Sequence, residues 1–177
     1  GGKTAHMAEL MGNTGEIVAR DIYKHKLKLV QENCGRLGVS IVRTELYDAL
    51  NMDTGSIEKF DRVLLDAPCS GLGVIRRKPD LRWKKEPEDF RELIKLQKKM
   101  LNLASKYVKP GGKLIYSTCT INKEESIEIV RDFLSKNRQF ELKSLKGLIP
   151  ESLVCRNSHE GYLELFPNIH GTDGFFI

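Results

Sequence analysis

Two short apolar runs, Arg62-Val63-Leu64-Leu65 and Lys113-Leu114-Ile115-Tyr116, each stop at a polar turn that carries a cysteine. The turns read Asp66-Ala67-Pro68-Cys69-Ser70-Gly71 and Ser117-Thr118-Cys119-Thr120. Such runs suit buried strands, and the crevice beyond the carboxyl ends of parallel strands is where open α/β sheets bind their ligands. Neighbouring strands lie about 4.8 Å apart. Two thiols leaving adjacent strand ends can therefore face one small reactant, with the Asp66 carboxylate beside them. The arrangement suggests covalent chemistry on a flat electrophile.

The rest of the chain alternates strand and helix, which predicts an α/β fold with a mostly parallel sheet covered by helices on both faces. A short helix is expected over 4–11, closed by Gly12, and a strand over 16–20, ending at Asp21. Leu27, Val30, Cys34 and Leu37 recur at three- and four-residue steps, so 24–37 reads as a helix that Gly38 ends. A third strand spans 39–46. Pro87 opens a long helix with Glu88 and Asp89 in its positive first turn, and Phe90, Leu93, Ile94, Met100, Leu101, Ala104 and Tyr107 mark its buried stripe. Pro110-Gly111-Gly112 turns into the second cysteine strand. Asn122 and Glu125 have the spacing of a capping box for a helix running to about 136, whose positive end would favour a thiolate at Cys119. Two further strands are expected near 140–143 and 174–177.

A chain of 177 residues is long enough for one domain with a real core. It has no apolar run of membrane-spanning length and no opening signal peptide, so a membrane role is not expected. Cys34, Cys69, Cys119 and Cys155 form no Cys-x-x-Cys pair, and the four histidines show no ligand spacing. Neither a metal site nor a disulfide scaffold is expected; free thiols suit a cytoplasmic protein. The net charge of +5 permits an anionic partner. It is concentrated over 76–85, where Arg76, Arg77, Lys78, Arg82, Lys84 and Lys85 stand against one acid, Asp80, with Trp83 among them. Such a run can neutralise phosphates and stack an unpaired base. It can equally be a solvated loop anchored by Trp83, and both readings stand.

Gly1-Gly2-Lys3-Thr4 leads straight into a helix, and a glycine-rich helix start lets a ligand approach backbone donors closely. Asp21 follows the next strand, 19 residues beyond Gly2, an offset that suits hydrogen bonds to both ribose hydroxyls of a nucleoside cofactor. Asp48, after the third strand, is placed to reach an adenine amino group; Asp53 competes for that role, or is a turn residue before Gly55. No complete dinucleotide or nucleoside triphosphate fingerprint is present.

These residues closely resemble the RsmB (Sun/Fmu) family of bacterial ribosomal RNA cytosine-5 methyltransferases, related to the Nop2/Sun proteins. The resemblance covers nearly the whole chain. It is carried by Gly-Gly-Lys-Thr at 1–4, Asp21, Asp48, the two cysteine motifs in their order, Gly73-Val74-Ile75-Arg76-Arg77-Lys78-Pro79-Asp80 and Thr172-Asp173-Gly174-Phe175-Phe176. It implies a Rossmann-like class I methyltransferase sheet and S-adenosylmethionine as methyl donor. Carbon 5 of cytosine is too weak a nucleophile unaided, and thiolate attack at carbon 6 makes it an enamine carbon. By resemblance Cys119 is that nucleophile and Cys69 assists elimination. Asp66 would bind the base edge near nitrogen 3 or the amino group, with a contact to the cofactor's methionine end also within its reach. Lys3 would orient cofactor or base, and Gly1, Gly2, Lys3, Asp21, Asp48 and Asp66 map onto the cofactor site. Arg76, Arg77, Lys78 and Trp83 are expected near the RNA, which would present a single-stranded or flipped cytidine. The implied substrate is ribosomal RNA, 16S by the same resemblance, or a small-subunit assembly intermediate.

The family carries a strand and Cys-Ala-Ala-Pro immediately before its Gly-Gly-Lys, whereas here the sequence begins at Gly1. The expectation is a catalytic domain over 1–177 taken from a longer protein and lacking its first strand, which would bind cofactor poorly. Transfer RNA is an alternative target with identical chemistry. A silent RNA-binding scaffold is the non-enzymatic alternative, and retention of both cysteines argues against it. DNA is disfavoured because DNA cytosine-5 enzymes use the Pro-Cys cysteine as nucleophile. Amino-group methylation is disfavoured because its Asn/Asp-Pro-Pro-Tyr/Phe motif is replaced by Asp66-Ala67-Pro68-Cys69.

Overall fold

Parallel strand pairs joined by helices organise the chain, as its alternating pattern requires. The computed structural model describes residues 1–83 and 86–177. Lys84, Lys85 and the Arg82 side chain, part of the basic run, lie outside the described residues. Backbone contacts divide the chain into two compact units, Gly1–Met52 and Asp53–Ile177.

The first unit contains α1 (Gly2–Leu10), β1 (Ile17–Asp21), α2 (Lys24–Arg36) and β2 (Val42–Leu46). β1 and β2 run parallel, in register from Ile17 opposite Val42 to Asp21 opposite Leu46. α1 starts at Gly2, earlier than its apolar pattern suggests, and buries Ala5 and Ala8. α2 buries Leu27, Val30 and Cys34, the three- and four-residue stripe seen in the sequence. β2 is shorter than the run 39–46 because the preceding turn consumes those residues. Gly38 there has φ +68°, and Asn13 clasps the turn by accepting from the Ser40 N–H at 2.9 Å and donating to the Ser40 hydroxyl at 3.1 Å. Across the pair, Arg20 Nε donates to its register partner Glu45 at 2.7 Å.

The second unit opens with a 3-10 turn at Thr54–Ser56, where the Asp53 carboxylate accepts from the Gly55 N–H at 3.0 Å. Asp53 is thus the turn residue. β3 (Phe60–Asp66), α3 (Pro87–Ser105) and β4 (Val108–Ser117) form a strand-helix-strand unit with β3 and β4 parallel. Pro110-Gly111-Gly112 is a bulge inside β4: Phe60 pairs with Val108, but Arg62 pairs with Lys113. α3 begins as its sequence predicts, with Pro87 in the first turn and reciprocal Glu86–Asp89 capping. Its stripe also buries Gln97, a polar residue where helical spacing calls for an apolar one.

Two expectations fail. Asn122 and Glu125 do not form a capping box. A 3-10 turn occupies Lys123–Glu125, Asn122 Oδ1 accepts from the Glu124 N–H at 3.1 Å, and α4 spans only Ile127–Lys136. The helix therefore begins too late to direct its dipole at Cys119 from the position expected, because that effect fades within a turn. Nor is 140–143 a strand; Phe140 packs on Phe133 instead, at 5.2 Å between rings. The tail forms α5 (Arg156–Glu160), β5 (Glu164–Leu165), α6 (Pro167–His170) and β6 (Phe175–Phe176). β5 and β6 pair antiparallel, and β6 reaches the chain beyond β4 through a bridge from Phe176 to Thr118. Leu65, Leu101, Tyr116, Ile129, Phe133, Tyr162 and Phe176 form the core that holds these pieces together. Among the described residues, no helix is long and apolar enough to cross a membrane.

Candidate active site

The register of β3 and β4 decides what lies beyond their ends. Asp66 pairs with Ser117, so the last residues of both strands are level, and the Ala67 N–H donates to the Ser117 carbonyl at 2.9 Å. Cys69 and Cys119 leave the strands side by side, with their sulfurs 3.3 Å apart. The Ser117 hydroxyl donates to Asp66 Oδ1 at 3.0 Å, and Asp66 is exposed at the end of β3. Cys69 and Cys119 are therefore brought together, and Asp66 ends the strand that leads to Cys69.

The first cause acting on Cys69 is its hydrogen bond to the Cys119 sulfur, followed by burial and the neighbouring charge; together they push its thiol far above the ordinary range. Cys69 is thus protonated at neutral pH, and either sulfur can donate in the hydrogen bond between them. Burial likewise raises Tyr116. In an unfolded chain a cysteine titrates near 8.5. The folded state therefore keeps a proton that the unfolded chain releases, and stability falls as pH rises past about 8.5, with Tyr116 adding to the loss above about 10. Denaturation midpoints measured from pH 7 to 10 should fall in that order, and Cys69→Ala should flatten the first part. A midpoint independent of pH would contradict this protonation pattern.

Gly73 stitches the site to the tail. Its N–H donates to the Cys119 carbonyl at 3.0 Å, and its carbonyl accepts from the Gly174 N–H at 2.7 Å. Arg76, in the same connection, donates to Asp173 Oδ1 at 2.9 Å and to the Gly171 carbonyl at 3.2 Å, and Arg77 pairs with the other oxygen of Asp173. The two guanidinium groups expected near RNA thus share one carboxylate. Lys78 is exposed, and Trp83 is 81% exposed, an indole face open to stacking rather than an anchor.

In the first unit, Gly1 caps α1, and a Cβ there would lie 3.2 Å from Val30 Cα, so the chain start sits close against α2. Lys3 is exposed on the first turn of α1. Asp21 ends β1; its Oδ1 accepts from the Tyr23 N–H at 2.9 Å and its Oδ2 lies 3.7 Å from Lys26. Asp48 follows β2, and its Oδ1 accepts from the Leu50 N–H at 2.9 Å. Both carboxylates are held by their own turns, which fixes their direction.

One residue of the site was misread from sequence. Glu125 is fully buried, and its carboxylate accepts from the Ser70 N–H at 2.8 Å, the Ser70 hydroxyl at 2.5 Å and Gln97 Nε2 at 3.1 Å. Thr120 and Asn122 complete the set at 3.3 and 3.4 Å. Three residues after Asn122, a glutamate looks like a local cap. The usable signal was Gln97, since a polar residue on a buried stripe needs a buried partner.

The family model described as 16S rRNA methyltransferase RsmB/F matches residues 1–177. The probable ribosomal RNA small subunit methyltransferase B of Bacillus subtilis is 45% identical over the whole chain. The ribosomal RNA small subunit methyltransferase F of Cronobacter sakazakii is 38% identical, also over the whole chain. The chain spans 40% and 37% of the lengths of these two relatives. Among solved structures, PH0851 superposes on 99% of the chain with a TM-score of 0.89 and 40% identity, over 39% of its own length. NSun6 from Pyrococcus horikoshii, solved with SFG, an analogue of S-adenosylmethionine, gives a TM-score of 0.83 and 33% identity, covering 99% of this chain and 44% of that one. The α/β architecture is that of a Rossmann-like methyltransferase.

Proposed function

Because the chain belongs to the 16S rRNA methyltransferase RsmB/F family, we propose that it carries the catalytic centre of an enzyme that methylates carbon 5 of a cytidine in ribosomal RNA. The observation that supports this most directly is the pair of sulfurs 3.3 Å apart beyond the ends of two parallel strands, one of which ends in Asp66. Few reactions need two adjacent thiols that remain unbridged. Addition to a pyrimidine ring is one, since one sulfur must bond carbon 6 and a base must later take the proton from carbon 5.

In this reading Cys119 attacks carbon 6 as its thiolate, and the ring electrons move towards carbon 5. The Asp66 carboxylate steadies the base edge as that charge shifts. S-adenosylmethionine, when bound, supplies an electrophilic methyl group on a sulfonium. The donor set suits it: acceptor-only carboxylates at Asp21 and Asp48, each held by a turn after its strand, match ribose hydroxyls and an adenine amino group. Gly1, Gly2 and Lys3 at the start of α1 would serve the same cofactor.

The shared hydrogen bond also supplies a sequence of events. Once Cys119 is bonded to carbon, its sulfur carries no charge and is a poor acceptor. The hydrogen bond that holds the Cys69 proton is then weakened, so Cys69 can lose that proton to solvent and take the one from carbon 5. The carbon–sulfur bond to Cys119 breaks as the ring double bond re-forms. Arg76, Arg77, Lys78 and Trp83 would meet the RNA, a phosphate competing with Asp173 for the two arginines.

The test is to incubate the whole protein with methyl-labelled cofactor and small-subunit ribosomal RNA, free or in an assembling particle, with transfer RNA as the competing substrate. Label recovered as 5-methylcytidine from ribosomal RNA is the expected result. Label only in transfer RNA, at another atom, or nowhere would overturn the proposal.

A further inference from the structure

We propose that Glu125 is a positioning residue that clasps the two cysteine turns and so holds Cys69 and Cys119 at reacting distance, an inference that rests on the reading of that pair as the reacting centre. Glu125 is 0% exposed, and a buried carboxylate is costly unless its lone pairs are satisfied. Every partner it has is a donor: the Ser70 N–H and hydroxyl, Gln97 Nε2, Thr120 Oγ1 and Asn122 Nδ2. Such a set selects a group that only accepts.

The partners are distributed in a telling way. Ser70 directly follows Cys69, and Thr120 directly follows Cys119. Their hydroxyls also meet each other, 3.0 Å apart. Gln97, itself fully buried, binds Glu125 at 3.1 Å and the Pro68 carbonyl at 2.8 Å, so the residues on both sides of Cys69 are tied to one cluster. The Tyr116 hydroxyl donates to the Glu125 carbonyl at 2.8 Å, anchoring that backbone to β4. Glu125 thus cross-links two loops that approach from different strands. Carbons 5 and 6 of a pyrimidine are bonded neighbours, so sulfurs serving both atoms must keep their spacing to within about 0.5 Å.

Glu125→Gln keeps the length but turns an amide NH2, itself a donor, towards donors. The distance between the thiols can be read without RNA or methyl donor, from equilibrium exchange with oxidised glutathione. Cys119 displaces one glutathione thiolate, and Cys69 displaces the second, giving one protein disulfide and two reduced glutathiones. In the whole protein, the exchange constant of Glu125→Gln is expected to fall at least tenfold while the melting temperature stays within a few degrees. Its kcat for methylation should fall about a hundredfold, with KM for RNA within threefold. A folded Glu125→Gln protein with an exchange constant within twofold of the parent would overturn the proposal. Should that variant not fold, Ser70→Ala, which removes only the hydroxyl ties, is expected to lower the constant at least threefold; an unchanged constant there would equally overturn it. Because the exchange assay needs no substrate, its failure is separate from a failure of the parent to methylate ribosomal RNA.

Discussion

Cys119→Ser is expected to reduce methylation of RNA by roughly ten-thousandfold or more, the usual scale for loss of a covalent nucleophile. Serine keeps the shape of the side chain, but its hydroxyl is not ionised near neutral pH. The effect should appear in kcat, with little change in binding of RNA or cofactor. Cys69→Ala should behave differently. That variant retains the attacking sulfur and loses the neighbour placed to take the carbon 5 proton, so methylated RNA stays attached. A denaturant-resistant protein–RNA band should accumulate in proportion to enzyme, and the double variant should show none. If instead Cys119→Ser forms the band and Cys69→Ala does not, the roles of the two sulfurs are reversed. Full activity in Cys119→Ser would remove the covalent mechanism altogether.

The second large effect is structural and lies four residues beyond Cys69. A Cβ placed on Gly73 would stand 2.0 Å from the Gly174 carbonyl oxygen, 2.6 Å from its carbon and 2.9 Å from the Cys119 carbonyl oxygen. All three are backbone atoms, so no side chain can swing aside. Gly73→Ala must part the tail from the Cys119 turn, losing two backbone hydrogen bonds of about 1 kcal/mol each and adding about 1–3 kcal/mol of overpacking. The expected loss of about 3–5 kcal/mol is a large share of an ordinary domain's stability. Denaturant midpoints measure it, and Gly35→Ala is the control. Gly35 lies within α2 with nothing within 4 Å of a new Cβ, so that change should raise stability by up to about 1 kcal/mol. A Gly73→Ala midpoint equal to the parent's would mean that the three segments do not meet at this glycine.

Much of this was legible in the linear chain for identifiable reasons. Strands ending in Asp66 and Ser117 were readable because apolar runs stop at turn residues, and local chemistry carries that information. The start of α3 was readable because Pro87, Glu88 and Asp89 act on the helix end beside them. Cys69 and Cys119 were readable as a pair because equal strand ends in a parallel sheet face the same way. The tail strands were half legible: β6 falls in the expected segment, whereas β5 lies at Glu164–Leu165 and no strand forms over 140–143. Two-residue strands carry too little periodicity to be seen in advance.

Glu125 marks the boundary most clearly. Local spacing assigned it to a helix cap, but burial beside Ser70 and Gln97 offers a carboxylate stronger partners than a solvent-exposed amide would. Arg76 and Arg77 show the same limit, since nothing within the basic run reveals that Asp173, almost a hundred residues later, holds both. Sequence alone determined the strand-helix alternation, the two cysteine turns and the carboxylates that end the strands, because each depends on neighbours within a few residues. Only the tertiary structure decided which distant groups complete that centre: the 3.3 Å approach of the sulfurs, the donor shell of Glu125 and the Gly73–Gly174 stitch. Those depend on register and packing between segments far apart in the chain, and close packing admits only the partners whose shape and hydrogen bonding fit.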